Sequence, residues 1–290
     1  MPTVQPPDRL APADGHDDFG GLGRDLPHLV GRRRALQMIG GISLAGIVAA
    51  CGTGSDNTDS AGASSTNSTT STASSTESAS AISASAGAEI PEETQGPYPA
   101  DGSNGPNILG ESGIVRADLT SSFGDLSGTA DGVPMTVQLT IVDAPTGEPR
   151  PGAALYAWHC TADGQYSIYE IVDQNYLRGV QVADDAGRLA FTTVFPGCYA
   201  GRWPHVHFEV YDSLDAATAG SQSIKTSQLA LPESDGNAVY ADGRYGNSAT
   251  NLSRLSLNSD MVFSDGWSDQ LATLTGTVSD GYTASLLVRV

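Results

Sequence analysis

The chain has 290 residues, 39% hydrophobic and 16% charged, and its 33 acidic residues against 14 basic ones give a formal net charge of −19. An excess of negative charge this large repels phosphate backbones and anionic lipid head groups, which excludes nucleic acid as a partner and a basic membrane-binding surface. Three cysteines, Cys51, Cys160 and Cys198, are too few to staple a chain of this length.

Near the N-terminus, Arg32-Arg33-Arg34 is followed by an apolar run of 12 residues, 39–50. A bilayer-spanning helix needs about 20; the run suits the core of a signal peptide. The arginines before a mildly apolar stretch resemble a bacterial twin-arginine signal, an address for export of folded proteins. Val48-Ala49-Ala50-Cys51 resembles a lipobox, which makes Cys51 the lipidated first residue of the mature chain. Residues 1–50 are therefore expected to be a removable signal. The rest is expected to be exported, lipid-anchored to the outer face of the bacterial cell membrane or secreted. Residues 52–88 hold 19 Ser or Thr in 37 positions and no Lys or Arg, too little apolar surface for a core, so 51–88 reads as a disordered tether.

From residue 89 to 290 the texture changes to short apolar runs punctuated by Gly, Pro, Asp and Asn. Residues 135–142 (MTVQLTIV), 154–159 (ALYAWH), 188–194 (RLAFTTV), 205–211 (HVHFEVY) and 284–290 (ASLLVRV) read as strands. Turns are expected over 143–152, 161–164 and 184–187. No amphipathic helix of useful length is visible. The pattern predicts one all-β domain, a β-sandwich with functional loops.

The sharpest signal is Pro196-Gly197-Cys198-Tyr199-Ala200-Gly201-Arg202-Trp203-Pro204-His205-Val206-His207-Phe208. Residues two apart on a strand share a face, so His205 and His207 present both imidazoles on one side, half of a metal site. Alone, such a pair is more often two polar strand residues facing solvent; the Tyr and Arg neighbours reverse that balance. Tyr199 follows a Pro-Gly bend and can turn its phenol toward the same point. A phenolate is a hard anionic donor, unusual for Zn and suited to a highly charged ion such as Fe(III).

These residues resemble the intradiol ring-cleavage dioxygenases, whose pattern is PGxY followed by Arg-x-x-His-x-His. Their first Tyr lies in a segment of the form WH-x-x-x-x-G-x-YS, matched by Trp158-His159 through Gly164, Tyr166 and Ser167. The resemblance covers about residues 92–232 and implies a non-haem Fe(III) held by Tyr166, Tyr199, His205 and His207. It further implies intradiol cleavage of a catechol-type diol with O2 to a cis,cis-muconate-type diacid. Arg202 matches the Arg beside the substrate ring and Tyr199 the ligand that the substrate displaces. Gly96 and Pro97, in Thr94-Gln95-Gly96-Pro97-Tyr98, match a pocket segment, and Gln228 a pocket glutamine. His159 matches a position that is not a ligand and is expected to be structural.

If both tyrosines meet one iron, Cys160 and Cys198 come close in turn, and a single disulfide is expected between them. The lack of a basic cluster favours neutral catechols, with Arg178 as a candidate partner for an acid group. Two other functions compete. A cell-surface β-sandwich binding module for carbohydrate or polymer requires aromatic platforms and no ligand set. A Zn hydrolase built on His205 and His207 requires a third His or an acidic ligand.

Overall fold

The computed structural model describes residues 84–290. The expected signal peptide, Cys51 and the tether as far as residue 83 lie outside the described residues. The strands are β1 (Pro134–Val142), β2 (Ala154–Trp158), β3 (Arg178–Val182), β4 (Arg188–Val194), β5 (His205–Tyr211), β6 (Lys225–Ala230), β7 (Thr273–Thr277) and β8 (Gly281–Arg289). They form two four-stranded sheets of order β4-β1-β8-β7 and β3-β2-β5-β6. Every neighbouring pair is antiparallel except β1 with β8. The expected sandwich is present. Short helices α1 (Leu214–Thr218), α2 (Glu233–Val239) and α3 (Ser248–Leu252) occupy connections, none longer than seven residues, as the missing helical periodicity requires.

Alternation along β5 explains how the sandwich carries a site. Val206, Phe208 and Val210 face inward and pack with Leu155 and Ala157 of β2 and with Val137, Leu139, Phe191 and Val288 of the opposite sheet. The opposite face carries His205, His207, Glu209 and Tyr211. In a simple sandwich that face would be wet, yet every residue of β5 is buried. The reason is a second apolar layer, in which Tyr98, Ile108, Leu109, Ile114 and Phe123 cover Tyr156, Trp158 and Tyr211. Pairing register places Arg178, Trp158, His207 and Gln228 in one row across β3, β2, β5 and β6.

An N-terminal strap joins the sheets. Gly87 N donates to Ala144 O at 3.0 Å, Ile90 N to Arg289 O at 2.9 Å and Glu93 N to Thr226 O at 2.8 Å. The strap carries the chain from the first sheet to the edge strand β6. Ala84 N also donates to Gly147 O at 3.2 Å. Residues 84–88, expected as the end of the tether, are thus hydrogen-bonded into the fold, and the folded unit begins before Glu89.

Candidate metal centre

The Nε2 atoms of His205 and His207 lie 3.0 Å apart on the outer face of β5. His205 Nδ1 is 2.5 Å from Trp203 O. A carbonyl only accepts, so Nδ1 carries the proton and Nε2 presents its lone pair. His207 is fixed differently. Its ring lies on that of Trp158, with centroids 4.9 Å apart and 4° between planes, while its Nδ1 has no hydrogen-bond partner among the described residues.

Two loops bring phenols to the same point. Tyr166, between β2 and β3, places Oη 3.5 Å from His205 Nε2. Tyr199, between β4 and β5, places its Oη 3.4 Å from the same nitrogen. The loops meet backbone to backbone: Gly197 N donates to Thr161 O at 3.0 Å, and a Cβ on Gly197 would lie 2.5 Å from Ala162 O. Gly164, with φ +89°, leaves room for the Tyr199 side chain, whose Cβ would be 3.0 Å from any Cβ there. Tyr166, His205 and His207 are buried. Tyr199 is half-buried and borders a groove of about 610 Å³ that Asp163, Asn251 and Arg254 also line.

Burial, reinforced by Tyr199, pushes the Tyr166 phenol well above its ordinary pKa. Burial and the Arg202 charge push His205 down to about 3, and burial with His205 holds His207 well below the ordinary histidine value. Without a cation Tyr166, His205 and His207 are therefore neutral. Among the described residues no group of three or more His, Cys, Asp or Glu could hold a metal; the donors that converge are two imidazole nitrogens and two phenol oxygens. Two donors about 2.1 Å from one ion and at right angles to each other stand about 3.0 Å apart, the separation of the two Nε2 atoms. Phenol oxygens need a strongly charged ion to take their protons. The set fits a ferric ion and lacks the third ligand of a Zn hydrolase.

Arg202 is fully buried and donates from Nη2 to Gln228 Oε1 at 2.5 Å. Gln228 Nε2 donates to Thr94 O at 2.8 Å, and Thr94 Oγ1 accepts from Gly96 N at 3.0 Å. Gly96 has φ +70°, which glycine adopts without strain. Beyond Pro97 the Tyr98 ring packs on Tyr166 at 4.9 Å. The strap therefore delivers Gly96 and Pro97 to the site, joined through Gln228 to Arg202. Asp260, which no sequence motif marks, accepts from Arg202 Nε at 3.1 Å.

Three expectations resolve at side-chain level. His159 is structural: its Nδ1 meets Cys160 O at 2.8 Å and its Nε2 meets Thr193 Oγ1 at 2.7 Å. Arg178 is not a substrate partner. It is fully buried and donates to Tyr98 O, Pro99 O, Tyr156 Oη, Ser167 O and Ser167 Oγ. The disulfide is absent, because Cys160 and Cys198 are free and buried. Each thiol turns to its own carbonyl, Cys160 to Gly197 O at 3.5 Å and Cys198 to Arg202 O at 3.3 Å. Burial pushes the Cys198 thiol up to about 12, far from the thiolate that exchange requires.

A family model described as Dioxygenase matches residues 105–219, a span that contains Tyr166, Tyr199, Arg202, His205 and His207. A chlorocatechol 1,2-dioxygenase of Pseudomonas putida is 30% identical over 124 residues, 36% of this chain and 47% of that protein. A second, from Pseudomonas sp. (strain P51), is 34% identical over 83 residues, 22% of this chain and 33% of its own. The middle of the chain is thus similar to the catechol-cleaving dioxygenases. The chain spans about half the length of the first of these relatives, or less. The fold agrees with the solved intradiol ring-cleavage dioxygenase from Tetranychus urticae, with TM-score 0.55 and 24% identity over 70% of this chain and 94% of that one. Gly96, Pro97, Gln228 and Asp260 lie outside the family-matched span.

Proposed function

We propose that this domain holds a non-haem ferric ion through Tyr166, Tyr199, His205 and His207 and cleaves a catechol-type diol with O2. The bond broken joins the two hydroxyl-bearing carbons, both oxygen atoms enter the product, and a cis,cis-muconate-type diacid results. The observation that carries this reading is the convergence of both phenol oxygens and His207 Nε2 within 3.5 Å of His205 Nε2. The twin-arginine and lipobox patterns put the reaction outside the cytoplasm, on a lipid-anchored or secreted protein.

A ferric ion held by Tyr166, Tyr199, His205 and His207 would supply Lewis-acid charge that favours the ionised diol and a redox partner through which the electron-rich ring could react with O2. The chain's own groups do the rest. Tyr199, the half-buried member of the four, takes up a substrate proton at Oη. Arg202 holds a fixed positive charge beside the ring, where negative charge develops, and its burial strengthens that interaction. Gln228 holds Arg202 on one side and the Thr94 carbonyl on the other, so the Gly96-Pro97 backbone forms a wall of constant position. Trp158, Tyr98 and Tyr166 keep water from the inner side.

The binding-module reading finds no support, since none of the exposed large hydrophobic side chains among the described residues is aromatic. The deciding experiment is a visible absorption spectrum of the iron-loaded protein before and after anaerobic addition of catechol. A broad tyrosinate-to-iron(III) band that shifts on addition is expected. A protein that stays colourless after ferric reconstitution overturns the proposal.

A further inference from the structure

We infer that Asp260 is the positioning residue for Arg202, setting the plane in which the guanidinium faces the substrate. The inference rests on the dioxygenase reading for its kinetic consequence, but its structural basis is independent of that reading.

The Asp260 and Arg202 side chains are both 0% exposed. Asp260 Oδ2 accepts from Arg202 Nε at 3.1 Å and from Trp203 N at 2.7 Å. Its Oδ1 accepts from Val262 N at 2.8 Å and Phe263 N at 3.1 Å. One carboxylate thus binds two consecutive residues of the segment leading into β5 and caps the turn that carries it. Burial pushes this carboxyl up, but the Arg202 charge and the N–H groups of Trp203 and Val262 outweigh burial and keep it below its ordinary value.

A carboxylate on Nε and an amide oxygen on Nη2 grip the guanidinium at two points on its rim. A planar group held at two points cannot rotate about its long axis. A single contact would leave that rotation open, and the charge would be spread over orientations that do not serve the ring. The contact to Trp203 N has a second effect. The carbonyl of Trp203 meets His205 Nδ1, so Asp260 fixes the N–H of the residue whose C=O orients one imidazole. Glu93 also feels the Arg202 charge and accepts from Gln270 Nε2 at 3.3 Å.

The test uses the full iron-loaded protein and the variants Asp260→Glu, Asp260→Asn, Arg202→Lys and Arg202→Lys with Asp260→Glu. Asp260→Glu keeps the charge and displaces it by one methylene. Its iron content and anaerobic catechol affinity should stay within about threefold of wild type, while kcat per iron falls by about tenfold or more. The double variant should be no slower than Arg202→Lys alone, because the two residues act as a unit. Equal kcat per iron in Asp260→Glu and wild type, or additive losses in the double variant, overturns the inference.

A readout without turnover separates this failure from that of the proposed activity. In ¹⁵N-labelled protein loaded with diamagnetic Ga(III), the Arg202 Nε–H signal should be protected from exchange in wild type and lose protection in Asp260→Asn. An unprotected wild-type signal overturns the positioning role even in an active enzyme. A protected one sustains it even if catechol is not cleaved.

Discussion

At the scale of single residues, the four donors are not equivalent. Tyr166 is buried behind Tyr98, whereas Tyr199 reaches a groove. Tyr199→Phe should retain a weakened charge-transfer band from Tyr166 and lose about a hundredfold in kcat; absorption and steady-state oxygen uptake check both. Arg178 satisfies three carbonyls and two hydroxyls at once, and shorter donors cannot reach them all. Arg178→Lys should cost about 2–4 kcal/mol of stability, read as a lower urea midpoint. Glu93 provides a pH signature. Burial, with Asp265 adding to it, pushes its carboxyl up from 4.5 to about 8. A raised carboxyl favours the fold while protonated, so its contribution is complete below pH 4.5 and is lost as pH rises through about 8. Glu93→Gln should flatten the decline in melting temperature across that window; an unchanged profile in the variant would remove Glu93 as its cause.

At the scale of elements, the site is a junction between one strand and two loops, and its tolerance is set by backbone contact rather than by side chains. Gly197 sits 2.5 to 2.9 Å, measured from an ideal Cβ, from Ala162 O, Gly164 N and Thr161 O. Gly197→Ala must push the Tyr199 loop off the Tyr166 loop. It should lower ferric-ion affinity at least about tenfold, because separated phenols cannot share one ion. Gly243→Ala, whose Cβ would meet nothing within 4 Å, is the matched control and should change stability by no more than about 0.5 kcal/mol. Ferric-ion titration followed by visible absorption measures the first and a thermal melt the second.

At the scale of the whole molecule, the charge of −19 acts on any substrate before it reaches the groove. A carboxylated catechol approaches against that field, and salt screens the repulsion with a Debye length of about 8 Å at physiological ionic strength. Its kcat/KM should rise with added salt, while that of unsubstituted catechol stays flat. Equal responses would show that the field does not reach the site.

The sequence by itself determined the strands that alternate strongly. It gave the limits of β4 and β5 to the residue, and β1 and β2 to within one. The His-x-His pattern marked two imidazoles on one strand face and the family resemblance pointed to Tyr166 and Tyr199; the fold brings all four side chains together. Strands β3 and β7, RGVQV and TLTGT, were illegible because they carry too few apolar residues to show a period. They exist because neighbouring strands supply hydrogen-bond partners. The tertiary structure alone decided three polar questions: that Arg178 serves the fold, that Cys160 and Cys198 remain thiols, and that Asp260, 58 residues downstream of Arg202, meets its guanidinium. A buried polar atom takes whichever partner the folded chain brings within about 3 Å, and no spacing along the sequence encodes that distance.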